Sequence, residues 1–127
     1  MQKEIFGTVI HGLGRGKELG FPTINIKLIN NDLYIDKGIY VVKVNIQNQS
    51  LNGMLYVGTR PTFGLSEITI EIHLLGYSDN LYDRQISFQI LQKIRDEIHF
   101  ESVDQLIEQL HHDKEMVYKY FQNFEDS

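Results

Sequence analysis

Thr23 and Asn25 stand two residues apart at the head of the segment Thr23-Ile24-Asn25-Ile26-Lys27-Leu28. Residues two apart on a strand project from one face, so a hydroxyl oxygen and an amide oxygen lie side by side while Ile24, Ile26 and Leu28 take the other face. Two neutral, hard oxygens suit Mg2+, which keeps several waters and completes its octahedron with phosphate oxygens. The same pair also suits the solvent face of an ordinary strand. Just upstream lie four glycines, Gly12, Gly14, Gly16 and Gly20, with Arg15 and Lys17 between them and Pro22 closing the run. Glycines let backbone amides approach an anion closely, and adjacent cations neutralise its charge. The run therefore reads either as a polyphosphate cradle or as a mobile surface hairpin. It is not a Walker A loop, because Gly16-Lys17 is followed by Glu18. Nor is it a dinucleotide fingerprint, since Lys17 stands where the third glycine belongs and a strand follows.

A carboxylate provides the third candidate. In Ile68-Thr69-Ile70-Glu71-Ile72-His73-Leu74 the isoleucines and Leu74 share one face and Thr69, Glu71 and His73 the other. Glutamate is depleted in strands. Glu71 reads either as a solvent-facing residue or as a general base that takes a proton from an alcohol.

The elements that must position these groups are short. Alternating runs rich in β-branched and aromatic residues predict strands at Ile5–His11, Ile24–Leu28, Ile39–Ile46, Leu51–Val57, Ile68–Leu75 and Ile86–Leu91. Turn signals separate them, among them Asn30-Asn31-Asp32 and Asn48-Gln49-Ser50. Six strands without an intervening helix predict a mainly β antiparallel barrel or sandwich. Ser102 followed by Gln105 has the form of a capping box. Val103, Leu106, Ile107, Leu110, Val117 and Phe121 then recur at helical spacing, predicting a helix over about 102–121 whose apolar stripe lids an open barrel end.

The 127 residues suit one domain. Hydrophobic residues make up 42% and charged residues 23%, enough for one core. No apolar run is long enough for a transmembrane helix, and Met1 to Phe6 has no signal-peptide character, so no membrane role is expected. The absence of cysteine removes disulfides, thiolate metal sites and cysteine nucleophiles, and fits a reducing compartment. A net charge of −5 is the wrong sign for a protein that holds phosphate backbones, so no nucleic-acid partner is expected. Glu108, His111, His112 and Asp113 read as a solvated polar helix face in preference to a metal site, for want of a third ligand of suitable spacing.

Taken in order, several pieces resemble the riboflavin kinase family. They are Gly12-x-Gly14-Arg15-Gly16, Leu19-Gly20-Phe21-Pro22-Thr23-x-Asn25, Gly38-Ile39-Tyr40, residues 58–63, Ile70 to Leu75, Leu81-Tyr82, Ile94-Arg95-x-Glu97-x-x-Phe100 and Asp113. The resemblance runs from about residue 4 to 121. It implies a single domain over 1–127: a six-stranded antiparallel closed barrel over about 4–94, a flavin-side loop over about 94–101 and a C-terminal helix over about 102–121. It also implies a cytoplasmic, monomeric kinase that transfers the γ-phosphate of ATP to the 5′-hydroxyl of riboflavin with Mg2+, releasing ADP and FMN, with FMN as product and not prosthetic group. Thr23 and Asn25 take the Mg2+–nucleotide role and Glu71 that of catalytic base. Gly12, Gly14, Arg15, Gly16, Lys17, Gly20 and Pro22 belong to the phosphate loop and its exit, while Leu74, Gly76 and Tyr82 border the nucleotide. Arg95, Ile98 and Gln105 contact the flavin from the loop and the first helical turn. The sequence departs from the family at Ile24 (usually alanine), Tyr56 (commonly asparagine), Asp83 (commonly glycine) and His99 (often lysine or arginine). In many bacteria such a domain is the C-terminal half of an enzyme that also adenylylates FMN. The different-class rivals are a non-catalytic barrel that binds flavin or nucleotide and an oligonucleotide-binding barrel.

Overall fold

The computed structural model describes residues 3–10, 20–29, 34–62, 65–77 and 81–125. Among these residues six strands, β1 (Glu4–Ile10), β2 (Ile24–Leu28), β3 (Gly38–Ile46), β4 (Gln49–Thr62), β5 (Leu65–Leu74) and β6 (Gln85–Asp96), precede one helix, α1 (Val103–Glu125). The strands close in the order β1-β2-β5-β4-β3-β6, with every pairing antiparallel. Closure leaves no unpaired edge, the reason a barrel serves this many short strands.

Alternation fills the barrel with apolar side chains. Val9, Ile26, Val42, Val44, Leu55, Val57, Ile72 and Phe88 belong to one interior cluster, most of them fully buried. β3 departs from simple alternation because both its faces are covered. Tyr40, Val42, Val44 and Ile46 point inward, while Ile39 and Val41 join Phe21, Met54, Val117 and Phe121 in a second cluster outside the wall. The helix therefore packs on the outer wall of β3, β4 and β6 and does not lid the barrel's end. The physical reason is the apolar outer face of β3 and β4, which has to be kept from water.

Local signals set the connections. Gln47 and Asn48, with φ of 51° and 66°, form a two-residue hairpin turn between the paired Ile46 and Gln49, the left-handed geometry that follows the natural twist of the strands. Asp83 has φ of 68°, so the position where glycine is common in the family is a left-handed one. The helix opens on the expected capping box: Gln105 N donates to Ser102 Oγ at 3.2 Å. The Gln105 side chain reaches back to the N–H of Glu101 (3.3 Å), one residue before the cap. α1 runs beyond the expected end to Glu125. Val103, expected in the buried stripe, is 59% exposed, because the helix joins the outer apolar cluster only from Leu110 onward.

β6 also outruns its expected end. Gly38 and Ile39 pair with Asp96 and Arg95, so Arg95 lies on a strand and not on the following loop. A Cβ at Gly38 would collide with the Arg95 carbonyl oxygen, so only glycine permits this approach. From the strand Arg95 grips the helix. Its Nε donates to both oxygens of Asp113 at 3.0 Å and its Nη2 to Oδ2 at 2.8 Å. Asp113 is fully buried and also accepts from Gln109 Nε2 at 2.9 Å. The expectation of a solvated face therefore holds for the exposed Glu108, His111 and His112 but not for Asp113. No helix among the described residues is long and apolar enough to cross a membrane.

Two stability predictions follow from this packing. Removing one partner of a buried, bidentate pair strands the other charge, so Asp113→Leu is expected to lose about 3–5 kcal/mol in urea unfolding. The double variant Arg95→Met/Asp113→Leu should recover most of it, since apolar replacement of a whole buried pair is nearly neutral. His73, 6% exposed, has its pKa lowered from 6.5 chiefly by burial and further by the Lys114 charge, against an opposing hydrogen bond to Pro22. The unfolded chain thus takes up a proton that the folded chain refuses. This contribution to stability is complete above pH 6.5 and falls as pH drops below it toward the folded-state value. The stability advantage of wild type over His73→Asn should accordingly shrink between pH 7 and 5; an unchanged difference would exclude a neutral buried imidazole.

Candidate active site

β2 and β5 meet in a ladder of only two described pairs, Ile24↔Ile72 and Asn25↔Glu71. Those pairs bring the three sequence candidates together. Glu71 lies directly across from Asn25, where side chains on a shared face have Cβ atoms roughly 4.5–5.5 Å apart. Thr23, just before the strand, donates its hydroxyl hydrogen to Glu71 Oε1 at 3.2 Å. All three are part-buried, open enough to meet a ligand and sheltered enough to be held in place.

The hydrogen bond settles which atoms face outward. With its hydrogen committed to Glu71, Thr23 Oγ1 keeps lone pairs to offer a cation, and Asn25 stands two residues further along the same face. The donor set is oxygen only, two neutral groups beside one carboxylate, which fits a hard divalent ion that retains water. Glu71 Oε1 is occupied, and its second oxygen has no hydrogen bond to a described residue.

The register extends this cluster across the wall. Asn25 pairs with Glu71, Glu71 with Tyr56, Tyr56 with Ile39 and Ile39 with Arg95. The row crosses β2, β5, β4, β3 and β6. At about 4.8 Å per strand it spans roughly 19 Å from Asn25 to Arg95 along the barrel surface. Tyr56, a departure from the family pattern with no site role expected from its type, occupies its centre. Its ring lies against Gly58, where a Cβ would collide with it. Burial raises the Tyr56 pKa above 10.0, reinforced by the charges of Glu97 and Glu71 and opposed by Arg95. The phenol therefore keeps its proton at neutral pH and stands as a donor midway along the row.

At the far end, Arg95 has a double attachment. Besides Asp113 it donates from Nη1 to the Asp96 carbonyl at 3.0 Å, and its guanidinium lies 5.8 Å from the Phe100 ring centre. Among the described residues three of its five N–H groups find acceptors, leaving one on each terminal nitrogen. Glu97 reaches across to the Thr59 N–H at 3.2 Å, tying the segment after β6 to β4. Ile98 is 45% exposed on that segment. Gln105 lies on the first helical turn with its side-chain oxygen engaged in the cap.

The remaining candidates divide. Gly12, Gly14, Arg15, Gly16 and Lys17 lie outside the described residues. Gly20, with φ of 84°, leads into the buried Phe21 and the exposed Pro22. Leu74 is buried in the barrel interior, on the opposite face from Glu71. Gly76, with φ of 72°, sits in the turn after β5, and Tyr82 is 47% exposed on the segment before β6. Among the described residues no group of three or more His, Asp or Glu side chains could hold a metal ion.

Comparison with known proteins supplies the family and the fold. The riboflavin kinase (flavokinase) family profile matches residues 2–121. The bifunctional riboflavin kinase/FMN adenylyltransferase of Haemophilus influenzae is 40% identical over 119 residues, covering 92% of this chain and 38% of the relative. The crystal structure described as the macrolide-efflux protein of Streptococcus pneumoniae superposes with a TM-score of 0.82 at 36% identity, over 91% of this chain and 38% of that one. Riboflavin kinase from Trypanosoma brucei shares the fold, with a TM-score of 0.65 at 22% identity over 94% of this chain and 79% of its own. The chain thus spans somewhat under two fifths of the curated relative's length. With a family profile matched almost end to end, on a closed barrel whose register gathers Thr23, Asn25 and Glu71, the chain belongs to the riboflavin kinase family.

Proposed function

We propose that this chain transfers the γ-phosphate of ATP to the 5′-hydroxyl of riboflavin, releasing FMN and ADP. The observation that carries the reading is the contact between Thr23 and Glu71, with Asn25 paired across the strands from the same carboxylate. Phosphoryl transfer asks a protein mainly to position its reactants and balance charge.

The chain's own groups supply those tasks. Thr23 Oγ1 and the Asn25 amide oxygen would hold Mg2+, which supplies charge neutralisation at the phosphates when bound. Thr23 also orients the carboxylate: by engaging Oε1 it leaves the other oxygen of Glu71 to accept the hydrogen of the attacking 5′-hydroxyl. As Glu71 takes that proton, the riboflavin 5′-oxygen bonds to the γ-phosphorus in line, and the bond from phosphorus to the β-phosphate oxygen breaks so that ADP leaves with the electron pair. The protonated Tyr56 phenol, next along the row, presents a donor beyond the carboxylate. The flavin would lie toward the Arg95 end, where the two remaining guanidinium N–H groups and the exposed Ile98 suit the polar rim and the flat apolar rings of an isoalloxazine. In this reading the Asp113 bond serves to aim the guanidinium, so Arg95 meets the flavin with one side while the other holds the helix.

The direct experiment mixes protein, riboflavin and Mg·ATP and follows FMN and ADP by chromatography. Stoichiometric appearance of both is expected, and flavin binding without ADP would favour a non-catalytic binder. Glu71→Gln keeps an acceptor for Thr23 but is a far weaker base, so turnover should fall by at least about 10²-fold with ATP binding retained. Near wild-type turnover would remove Glu71 as base. Asn25→Ala, losing one oxygen toward a cation, should raise the Mg2+ concentration for half-maximal rate by about tenfold. An unaltered metal dependence would take Asn25 out of the metal shell.

A further inference from the structure

The seam that forms the site is held less by backbone than any other in the barrel. β2 and β5 share two described register pairs, whereas every other neighbouring pair of strands shares at least four. The ladder stops at Ile24, one residue short of Thr23. Side chains take over from that point. Residues 71 and 73 of β5 lie on one face. Glu71 accepts from Thr23 Oγ1 at 3.2 Å, and His73 Nδ1 lies 2.7 Å from the Pro22 carbonyl oxygen. Two consecutive residues of the incoming segment are thus fastened by two same-face residues of one strand.

The tautomer of His73 follows from its surroundings. A proline carbonyl only accepts, so Nδ1 carries the hydrogen. Nε2 is buried and has no hydrogen-bond partner among the described residues. The ring packs edge-on against Phe21 (centroids 5.7 Å apart), which packs in turn against His111 of α1 at 4.9 Å. Lys114 Nζ lies 5.7 Å from the centre of the same Phe21 ring. A proton on Nε2 would place a second cation in a dry pocket close to Lys114, so the neutral Nδ1–H form prevails. A buried atom left without a partner carries a cost. It is tolerated here because the other nitrogen holds a backbone group that no strand pairing reaches.

What that bond controls is the peptide plane between Pro22 and Thr23. Proline fixes φ near −65°, and the peptide unit is planar, so aiming the Pro22 carbonyl also aims the N–Cα bond of Thr23. We propose that His73 is a positioning residue for the metal–nucleotide segment: by donating from Nδ1 to the Pro22 carbonyl it sets the peptide plane that turns Thr23 toward Glu71 and Asn25 toward the cation. The inference rests on the function proposed above for Thr23 and Asn25, and it names a residue that touches neither substrate nor metal.

Asparagine and glutamine separate this role from mere bulk. The side-chain nitrogen of His73→Asn falls near the Nδ1 position and can still donate to Pro22, whereas that of His73→Gln reaches toward Nε2 and cannot. Amide hydrogen exchange over residues 22–26 of the ligand-free protein should quicken by about tenfold in His73→Gln and by no more than about threefold in His73→Asn. Affinity for Mg·ATP, measured by calorimetry, should weaken in the same order and by similar factors, while ATP binding in EDTA stays alike in the two variants. Equal exchange in the two variants overturns the proposal. So does the expected exchange order with equal Mg·ATP affinities, since the bond would then steer the backbone without serving the site. A wild-type chain that binds no Mg·ATP overturns the functional reading and this one together, whereas equal variants on a binding wild type overturn only the role of His73.

Discussion

A strand slipped by one residue turns each of its side chains to the opposite face, and this site is built on four register choices in succession. Asn25, Glu71, Tyr56, Ile39 and Arg95 come from five strands and share one row on the outer wall. Shifting β5 by one position would bury Glu71 in the barrel and expose Ile70 or Ile72 in its place. The apolar interior prevents this. Ile72, Leu55, Val57 and Val42 are fully buried, so their removal from the core would cost roughly 1.5–3 kcal/mol apiece. The core therefore does more than hold the barrel closed. By fixing which residues point inward it also fixes which polar groups meet outside.

The second apolar cluster braces that row at both ends with a single helix. At one end Asp113 holds Arg95 in a buried fork. At the other, His111 and Lys114 lie against Phe21, the residue before Pro22 and Thr23. Between them Val117 and Phe121 seal the outer faces of β3 and β4. A helix laid on the wall can connect positions that a lid over the barrel mouth could not reach. The same arrangement accounts for a histidine in a buried position on β5, because covering the outer wall desolvates its ring and leaves the Pro22 carbonyl as its partner.

Several features were legible from local chemistry. Each of the six expected strands is present, since a half-buried strand must repeat every two residues, although β4 runs on to Thr62 and β6 to Asp96, past the expected ends at Val57 and Leu91. The Ser102–Gln105 cap is present because it depends on four consecutive residues. The placing of Thr23 and Asn25 on one face follows from strand geometry. Other readings failed where distant chain segments decided the outcome. Asp113 looked solvated on a helical wheel and is buried against a strand residue eighteen positions earlier. Val103 fitted the apolar stripe and is exposed, because the stripe outruns the wall it packs on. β6 continues through Arg95 because β3 offers it partners, which no pattern within β6 reports.

The division between the two sources of information follows range. Residue types and their spacing alone determined the mainly β character, the capped helix and the identity of an oxygen-rich pair, a carboxylate and a glycine-rich run, since each depends on neighbours within a few positions. Only the tertiary structure decided that Glu71 lies beside Thr23 from forty-eight residues away, that His73 answers Pro22 across fifty-one, and that Tyr56 stands between the carboxylate and Arg95. Those contacts depend on strand order and register, which arise from burying every apolar face at once and so belong to the chain as a whole.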